Sequence, residues 1–178
     1  IDTGRRRELV SPGSKGVMGY DPQTGKELWK IRYHGWSMVP RPLVGHGLVY
    51  LINDYEQPEL WAIRPGGEGD VTDTHVTWKK DRGMPAQPSL LLIGDLLYAI
   101  NDAGVATCID AQTGNNIWNH RVGGKYAASP IYADGRIYLF AQDGTTTVIE
   151  PGLVYRELAT NQLDGEVMAS PAVAGSSL

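Results

Sequence analysis

Two eleven-residue stretches of the sequence place an acid, a hydroxyl group and a tryptophan at the same spacing. Residues 19–29 read GYDPQTGKELW, and residues 108–118 read CIDAQTGNNIW. Taken alone, a carboxylate beside a hydroxyl could serve acid–base chemistry or hold a cation. A catalytic group has no need to recur along one chain, however, so the repetition favours a role in building the fold.

Other residues with catalytic or metal-binding chemistry are scattered along the chain. Asn101-Asp102 and Gln142-Asp143 have oxygen ligands that could suit calcium, but each pair lies between two predicted strands and is explained as a hairpin turn. No two histidines are two or four residues apart, so they form no recognisable zinc-binding pair. The sequence therefore assigns no catalytic, cofactor-binding or metal-binding residue.

Composition limits the class of protein. The 22 glycines and 11 prolines among 178 residues are spread along the chain and favour many short strands joined by turns. The net charge of −4 argues against a nucleic-acid-binding protein, and the one basic run, residues 5–7, is expected to be solvated. The longest apolar run, residues 90–100, is interrupted by Gly94-Asp95 and is too short to span a membrane. Because the sequence starts without a methionine and ends within a repeat, we expect a segment of a longer protein.

The chain is internally repetitive. Four prolines that begin apolar runs lie 46, 42 and 41 residues apart, at Pro42, Pro88, Pro130 and Pro171. Each of the first three units contains several short apolar runs separated by glycine-containing turns. Apolar residues occupy every second position of residues 137–141, which is the period of a β-strand. Four antiparallel strands repeated about every 40 residues are typical of a β-propeller blade.

The two motif stretches resemble the tryptophan-docking motif, A-x-D-x-x-T-G-x-x-x-W, of the PQQ-like repeat β-propellers. That family includes quinoprotein alcohol dehydrogenases and also non-enzymatic scaffolds, such as a lipoprotein propeller of bacterial outer-membrane assembly. Gly19 and Cys108 replace the alanine of the motif, although both residues are small. The resemblance covers essentially the whole chain and implies that each tryptophan docks on a neighbouring blade. The residues assigned to this structural motif are Asp21, Thr24, Gly25, Trp29, Trp78, Asp110, Thr113, Gly114 and Trp118.

The second and fourth units match the family motif less well. In the second unit Arg64 stands where the aspartate is expected, and residues 65–74 are interpreted as a loop inserted before the strand of Trp78. In the fourth unit Glu150 replaces the aspartate, and Leu158 is placed at the tryptophan position.

Counting strands gives the blade boundaries. The blades assigned are residues 1–33 (partial), 34–80, 81–122, 123–162 and 163–178 (the first strand of another blade). The strand of that last blade is placed at residues 168–174. The family resemblance implies rings of seven or eight blades, whereas about four blades' worth of strands is present. We therefore expect an all-β arc of a larger propeller; the alternative is that the terminal strand completes the first blade and closes a four-bladed ring.

The resemblance implies two functional alternatives. A quinoprotein oxidoreductase would hold PQQ and Ca²⁺, but the vicinal cysteine pair that often covers the quinone in that class is missing, because Cys108 is the only cysteine. A non-catalytic scaffold that binds a protein partner or a neighbouring domain of the same chain is favoured. We then expect no cofactor and no nucleic acid. Resemblance alone implies a bacterial protein in an extracytoplasmic location, the periplasm or cell envelope.

The loop at residues 32–41 is the favoured contact region. Its sequence, RYHGWSMVPR, places aromatic and methionine side chains outside the motif register and between two arginines. The predicted contact residues are Arg32, Tyr33, Trp36, Met38 and Arg41. The alternative is that Trp36 packs beneath its own loop. The insertion at residues 64–75 is a second region where a loop could bind a partner.

Overall fold

The fold consists of short strands in four four-stranded sheets. The computed structural model describes residues 1–175 and divides the chain into two compact units, Ile1–Arg82 and Gly83 onward. Each unit contains two of the sheets. The predicted all-β propeller architecture with four-stranded units is therefore confirmed.

The first unit contains eight strands and one helical turn. In chain order these elements are β1 (Leu9–Gly13), β2 (Gly16–Tyr20), β3 (Glu27–Arg32), β4 (Leu43–Gly45), β5 (Leu48–Ile52), β6 (Leu60–Ile63), β7 (Gly69–Asp70), α1 (Thr72–His75) and β8 (Val76–Lys80). The first sheet has the order β1-β2-β3-β7, and the second has the order β4-β5-β6-β8. All neighbours are antiparallel except β7, which runs parallel to β3.

The second unit contains two antiparallel meanders. Its strands are β9 (Leu91–Ile93), β10 (Leu96–Ile100), β11 (Val105–Asp110), β12 (Asn116–Arg121), β13 (Ile131–Ala133), β14 (Arg136–Phe140), β15 (Thr145–Ile149) and β16 (Glu157–Gln162). Strands β9 to β12 form the third sheet, and β13 to β16 form the fourth. Asp134-Gly135 connects β13 to β14 with both φ angles positive, 47° and 70°, which is the geometry of a tight hairpin turn.

Each unit has its own apolar core between its two sheets. In the first unit Val17 and Ile31 of the first sheet pack with Ile63 of the second. In the second unit the strand alternation predicted for residues 137–141 is confirmed, because Ile137, Leu139 and Ala141 are all buried in the core.

The inserted segment at residues 65–74 contributes a strand to the first sheet. Residues Gly69–Asp70 form β7 and add a parallel strand to the edge of the first sheet, although they belong to the connection between β6 and β8 of the second sheet. The Val71 amide continues this pairing by donating to the Lys30 carbonyl at 2.9 Å. The insertion therefore ties together the two sheets of the first unit and covers an otherwise open strand edge.

The C-terminal segment has less strand than the sequence predicted, and the N-terminal residues form no full strand before β1. Ile1 and Glu8 exchange two backbone hydrogen bonds of 2.8 and 2.9 Å, so the N-terminus pairs with the segment that leads into β1. Only an isolated bridge, Asp2 to Arg7, forms there instead of a strand. The strand expected at residues 168–174 is reduced to one bridged residue, Ala174. The last three residues of the expected final blade, 176–178, lie outside the described residues.

A β-bulge recurs at the same place in all four sheets. The register shifts lie between Gly19 and Tyr20, Ala62 and Ile63, Cys108 and Ile109, and Val148 and Ile149. In the first three sheets the residue left unpaired by the bulge directly precedes the tryptophan. A bulge increases local twist and redirects the next side chain. Each tryptophan consequently lies opposite a small residue.

The fourth sheet corrects one residue assignment. Ala159, not Leu158, pairs with Val148 and occupies the position that the tryptophan has in the other sheets. The cause is a longer connection: Ile149 pairs with Glu157, whereas the corresponding Ile109 pairs with Asn116. Counting a fixed spacing from the acidic residue therefore selected the bulge residue, Leu158.

No helix within residues 1–175 is long and apolar enough to cross a lipid bilayer.

The different exposure of Trp29 and Trp36 gives a stability prediction. Trp29 is fully buried, whereas Trp36 is 50% exposed. We expect Trp29→Ala to reduce the free energy of unfolding by about 3–5 kcal/mol, because it removes a large buried ring. Trp36→Ala should change it by about 0.5 kcal/mol or less. Urea denaturation of the two variants measures both values, and equal losses would contradict this assignment of the core.

Candidate functional site

The first motif stretch forms a hydrogen-bonded turn at residues 21–25. Oδ1 of Asp21 accepts hydrogen bonds from the amides of Gln23 and Thr24 at 2.8 and 3.1 Å. These two amides lower the pKa of the Asp21 carboxyl below its ordinary value of 3.8. Gly25 has a φ of 71°, and its amide donates to the Asp21 carbonyl at 2.9 Å. The carboxylate is thus engaged in shaping the chain between β2 and β3.

The second stretch forms the same turn. Oδ1 of Asp110 accepts from the amides of Gln112 and Thr113 at 3.0 and 2.8 Å, and also from the Thr113 hydroxyl at 2.8 Å. Gly114 has a φ of 76°, and its amide donates to the Asp110 carbonyl at 2.9 Å. Both copies use the acid and hydroxyl as turn residues.

The packing of Trp29 depends on Gly19. The two residues pair across β2 and β3, and a Cβ atom at position 19 would overlap the indole ring. The indole therefore occupies the space that a side chain at position 19 would fill. Its Nε1 donates to Oε2 of Glu8 at 2.7 Å, and the same oxygen accepts from the Gly66 amide at 3.2 Å. A buried carboxylate thus links Trp29 to the connection that follows β6.

Trp118 reaches the neighbouring sheet of its unit directly. Its Nε1 donates to the Gly152 carbonyl at 3.0 Å, in the connection between β15 and β16. Its ring also meets Tyr155 edge-on, with centroids 5.4 Å apart. Tyr98 flanks the other side and accepts a hydrogen bond from the Gly152 amide at 2.8 Å. Trp78, in the second sheet, lies beside Tyr50 with ring centroids 5.9 Å apart.

The five predicted contact residues differ in how exposed their side chains are. Tyr33 is only 7% exposed; its hydroxyl donates to the Gly13 carbonyl at 3.0 Å, and its ring packs edge-on against Trp61. Met38 is partly buried against the same core. These two side chains are therefore largely buried and support the fold, although Tyr33 also lines the open cavity beside Trp36. Arg32 and Arg41 remain exposed, with Arg32 paired to Asp70 at 2.8 Å.

Trp36 projects to solvent beside Tyr55, and Val39, three residues further along the chain, is also exposed. Trp36, Val39 and Tyr55 are 50%, 53% and 38% exposed, and the Trp36 and Tyr55 ring centroids are 6.1 Å apart. We call these three residues the Trp36 surface. An open cavity of about 740 Å³ adjoins it and is lined in part by Lys15, Arg32 and His34. The cavity lining therefore combines the Trp36 ring with Lys15 and with Arg32, whose charge Asp70 offsets.

Two loops of the first unit hold the Trp36 surface in place. Oδ1 of Asp54 accepts hydrogen bonds from the amides of Trp36 and Tyr55 at 3.3 and 2.8 Å. Desolvation raises the pKa of the Asp54 carboxyl, but its backbone amide donors, led by Tyr55, outweigh desolvation and hold the pKa below 3.8. Gly35 lies so close to the Asn53 carbonyl that a Cβ atom would overlap it. The surface is thus preorganised, which reduces the entropy lost on binding.

Sequence reasoning missed Tyr55, Asp54 and Glu8. Tyr55 and Asp54 lie in the loop between β5 and β6, and nothing in their local sequence indicates that the loop at residues 32–41 approaches them. Glu8 precedes β1 and has the composition of an ordinary surface residue, yet it is 2% exposed. An acid among charged residues gives no local signal of burial.

Neither a metal-binding cluster of side chains nor an activated thiol is found in residues 1–175. No group of three or more His, Cys, Asp or Glu side chains in this range is arranged to hold a metal ion. Burial raises the pKa of the Cys108 thiol to about 11, so the thiol stays protonated near neutral pH and is a poor nucleophile.

Comparison with known proteins identifies the family. The family profile described as outer membrane protein assembly factor BamB matches residues 72–168, more than half of the chain. The chain belongs to this family. The comparison with curated proteins gives no match.

Solved propeller structures share the fold of this BamB-family chain. BamB from Moraxella catarrhalis matches with a TM-score of 0.68 at 17% identity, over 92% of this chain and 47% of that one. The computationally designed Ika8 protein matches with a TM-score of 0.69 at 18% identity, over 91% and 48%. The Cps50 (Swd1) β-propeller domain of Myceliophteria thermophila gives 0.57 at 18%, over 88% and 56%. The chain spans about half the length of these structures, and at such identities the likeness establishes the propeller fold alone.

The contact between Gly19 and Trp29 gives a second prediction. We expect Gly19→Ala to lower the free energy of unfolding by about 1–3 kcal/mol, because the added methyl group must displace the buried indole. Gly152→Ala is the matched control, since a Cβ atom there meets nothing within 4 Å. Urea denaturation curves compare the two. If both variants unfold at the same urea concentration as the parent chain, the close packing is wrong.

Proposed function

We propose that this chain is a non-catalytic protein-binding domain of a larger bacterial protein and that the Trp36 surface contacts the partner. The observation that supports the proposal is the exposed, buttressed aromatic pair of Trp36 and Tyr55. Large aromatic side chains are enriched where proteins bind one another, because they bury much area with few rotatable bonds. The partner is a protein or a neighbouring domain of the same chain.

The chemistry of the surface limits the partner segment. Trp36, Val39 and Tyr55 offer apolar area, and Lys15 lies beside it, whereas Asp70 offsets the charge of Arg32 and the Asp54 carboxylate lies behind the aromatic pair. A partner segment that presents an apolar side chain would therefore match the surface. Nucleic acid fits less well, since the chain as a whole has a net charge of −4.

The family match also supports proposals about location and assembly. The family profile takes its description from an outer-membrane assembly factor, which supports an extracytoplasmic place of action in the cell envelope. The chain covers 47% of a BamB structure, which supports a segment of a larger ring. The tryptophans of the repeated motif would then dock blade against blade around that ring, as Trp118 does on Gly152 within the second unit.

The proposal includes no quinone or calcium. Adding PQQ and Ca²⁺ to the protein and separating the mixture by gel filtration tests this part. A quinone absorbance that co-elutes with the protein would favour the oxidoreductase alternative.

The Trp36 surface gives a third prediction. We expect Trp36→Ala to abolish capture of the partner from an envelope fraction of the bacterium that encodes the protein, because it removes the largest exposed apolar contact. Val44→Ala is the control: Val44 is 57% exposed, lies in β4 and is not part of the Trp36 surface. Quantitative mass spectrometry of the captured proteins compares parent, variant and control.

Thermal melts of the three proteins must accompany the capture experiment. Partner capture that survives Trp36→Ala in a folded protein would contradict the proposal, as would an equal loss with Val44→Ala.

A further inference from the structure

A second cavity lies at the other end of the first sheet. Glu8 immediately precedes β1, whereas Lys15, near the Trp36 surface, follows it. The cavity has a volume of about 490 Å³ and is formed by Thr3, Arg5, Arg6 and Glu8 together with the connection between β6 and β8. We call it the Arg64 cavity. The residues that concern its chemistry are Arg5, Arg6, Arg64, Glu8, Glu68 and His75.

A buried carboxylate fixes one wall of this cavity. Oε1 of Glu8 accepts from Nε of Arg6 at 2.7 Å, and its other oxygen is occupied by Trp29 and Gly66. Nη2 of Arg6 donates to the Gly67 carbonyl at 2.7 Å. The Arg6 guanidinium is therefore held against the cavity by two contacts. A positioned guanidinium loses less conformational freedom when it binds a ligand.

Two further guanidinium groups have donors available. Nη2 of Arg64 donates to the Thr74 carbonyl, which uses one of its five N–H groups. Arg5 makes no hydrogen bond or ion pair within residues 1–175. The three arginines come from two separate chain segments and converge on one cavity, so the expectation that residues 5–7 are simply solvated is incomplete.

The charge balance of the cavity suits one negative charge. Three guanidinium groups face the carboxylates of Glu8 and Glu68, which leaves one positive charge. Burial, followed by the nearby Arg64, lowers the pKa of His75 below 6.5 despite the opposing effect of Glu8, so the imidazole is neutral at pH 7. A phosphate dianion would bring two charges beside the two acids, whereas a carboxylate brings one and matches the fork of a guanidinium group.

We propose that the Arg64 cavity binds a carboxylate group of an acidic peptide, either a glutamate side chain or a chain terminus, through Arg5 and Arg64. The glycine loop shapes the entrance: Gly67 has a φ of 87°, and a Cβ atom there would lie 2.8 Å from Nε2 of His75. The proposal is independent of the Trp36 surface, because the two sites share no lining residue.

Three acetylated tripeptides and inorganic phosphate test the proposal at low ionic strength. The probes are Gly-Gly-Glu amide, Gly-Gly-Gly with a free terminus, and Gly-Gly-Gly amide, which has no carboxylate. NMR titration follows the arginine Nε–H signals and the Gly67 amide. We expect saturable shifts with either carboxylate peptide, none with the neutral amide, and weaker binding of phosphate. The two carboxylate peptides distinguish a side chain from a chain terminus as the source.

Variants with a matched control complete the test. Arg5→Ala removes no contact within the described chain, so it should leave stability unchanged and weaken peptide binding about tenfold, the effect of losing one charge-assisted hydrogen bond. Arg64→Ala should weaken binding at least as much. Arg7→Ala is the control, because Arg7 is an exposed neighbour that does not line the cavity. The proposal is overturned by three results: no saturable shift with either carboxylate, tighter binding of phosphate, or an equal loss with Arg7→Ala.

Discussion

The packing of Trp29 depends on the absence of a side chain at Gly19, the residue opposite it. Gly19 leaves space above the strand, so the Trp29 indole lies against the backbone and is fully buried. Cys108 fills the corresponding space in the third sheet. Trp118 is partly exposed, and its N–H donates to the Gly152 carbonyl in the connection between β15 and β16. The two copies of the motif therefore pack differently, with a glycine opposite the buried indole and a cysteine opposite the partly exposed one.

The packing of Trp29 explains why the Glu8 carboxylate is buried. A buried indole N–H needs an acceptor, because an unpaired polar group in the interior costs free energy. The partly buried Gly66 amide donates to the same carboxylate oxygen. Residues 64–66 and 150–152 both end in Pro-Gly at the same register, yet Gly152 receives its tryptophan directly while Gly66 is reached through the Glu8 carboxylate. Burying that charge is tolerable because Arg6 and two N–H donors satisfy it.

The sequence predicted what depends on local pattern. Strand alternation, the Asp-Thr-Gly turns and the repeat period are set by residues close together along the chain, and the structure has them. The side-chain directions in the loop at residues 32–41 were not predictable, because Tyr33 is buried by Trp61 and Trp36 is supported by Asp54, both on distant strands or loops. Leu158 was misassigned for the same reason: one extra loop residue shifts the register, and only the pairing with Val148 reveals it.

The two proposed binding sites, the Trp36 surface and the Arg64 cavity, lie where the chain departs from the repeat. A four-stranded sheet with a tight turn at each end offers little but short hairpins. The Trp36 surface exists because a connecting loop is long enough to approach the loop of Tyr55. The Arg64 cavity exists because an insertion, after pairing with β3 as β7, leaves glycines opposite the arginines of the N-terminal segment. The same insertion covers a strand edge, so its length serves stability and the cavity together. Shortening the insertion would expose the edge of β3 and so affect folding as well as the cavity. A point substitution such as Arg5→Ala changes the cavity alone and therefore separates ligand binding from folding.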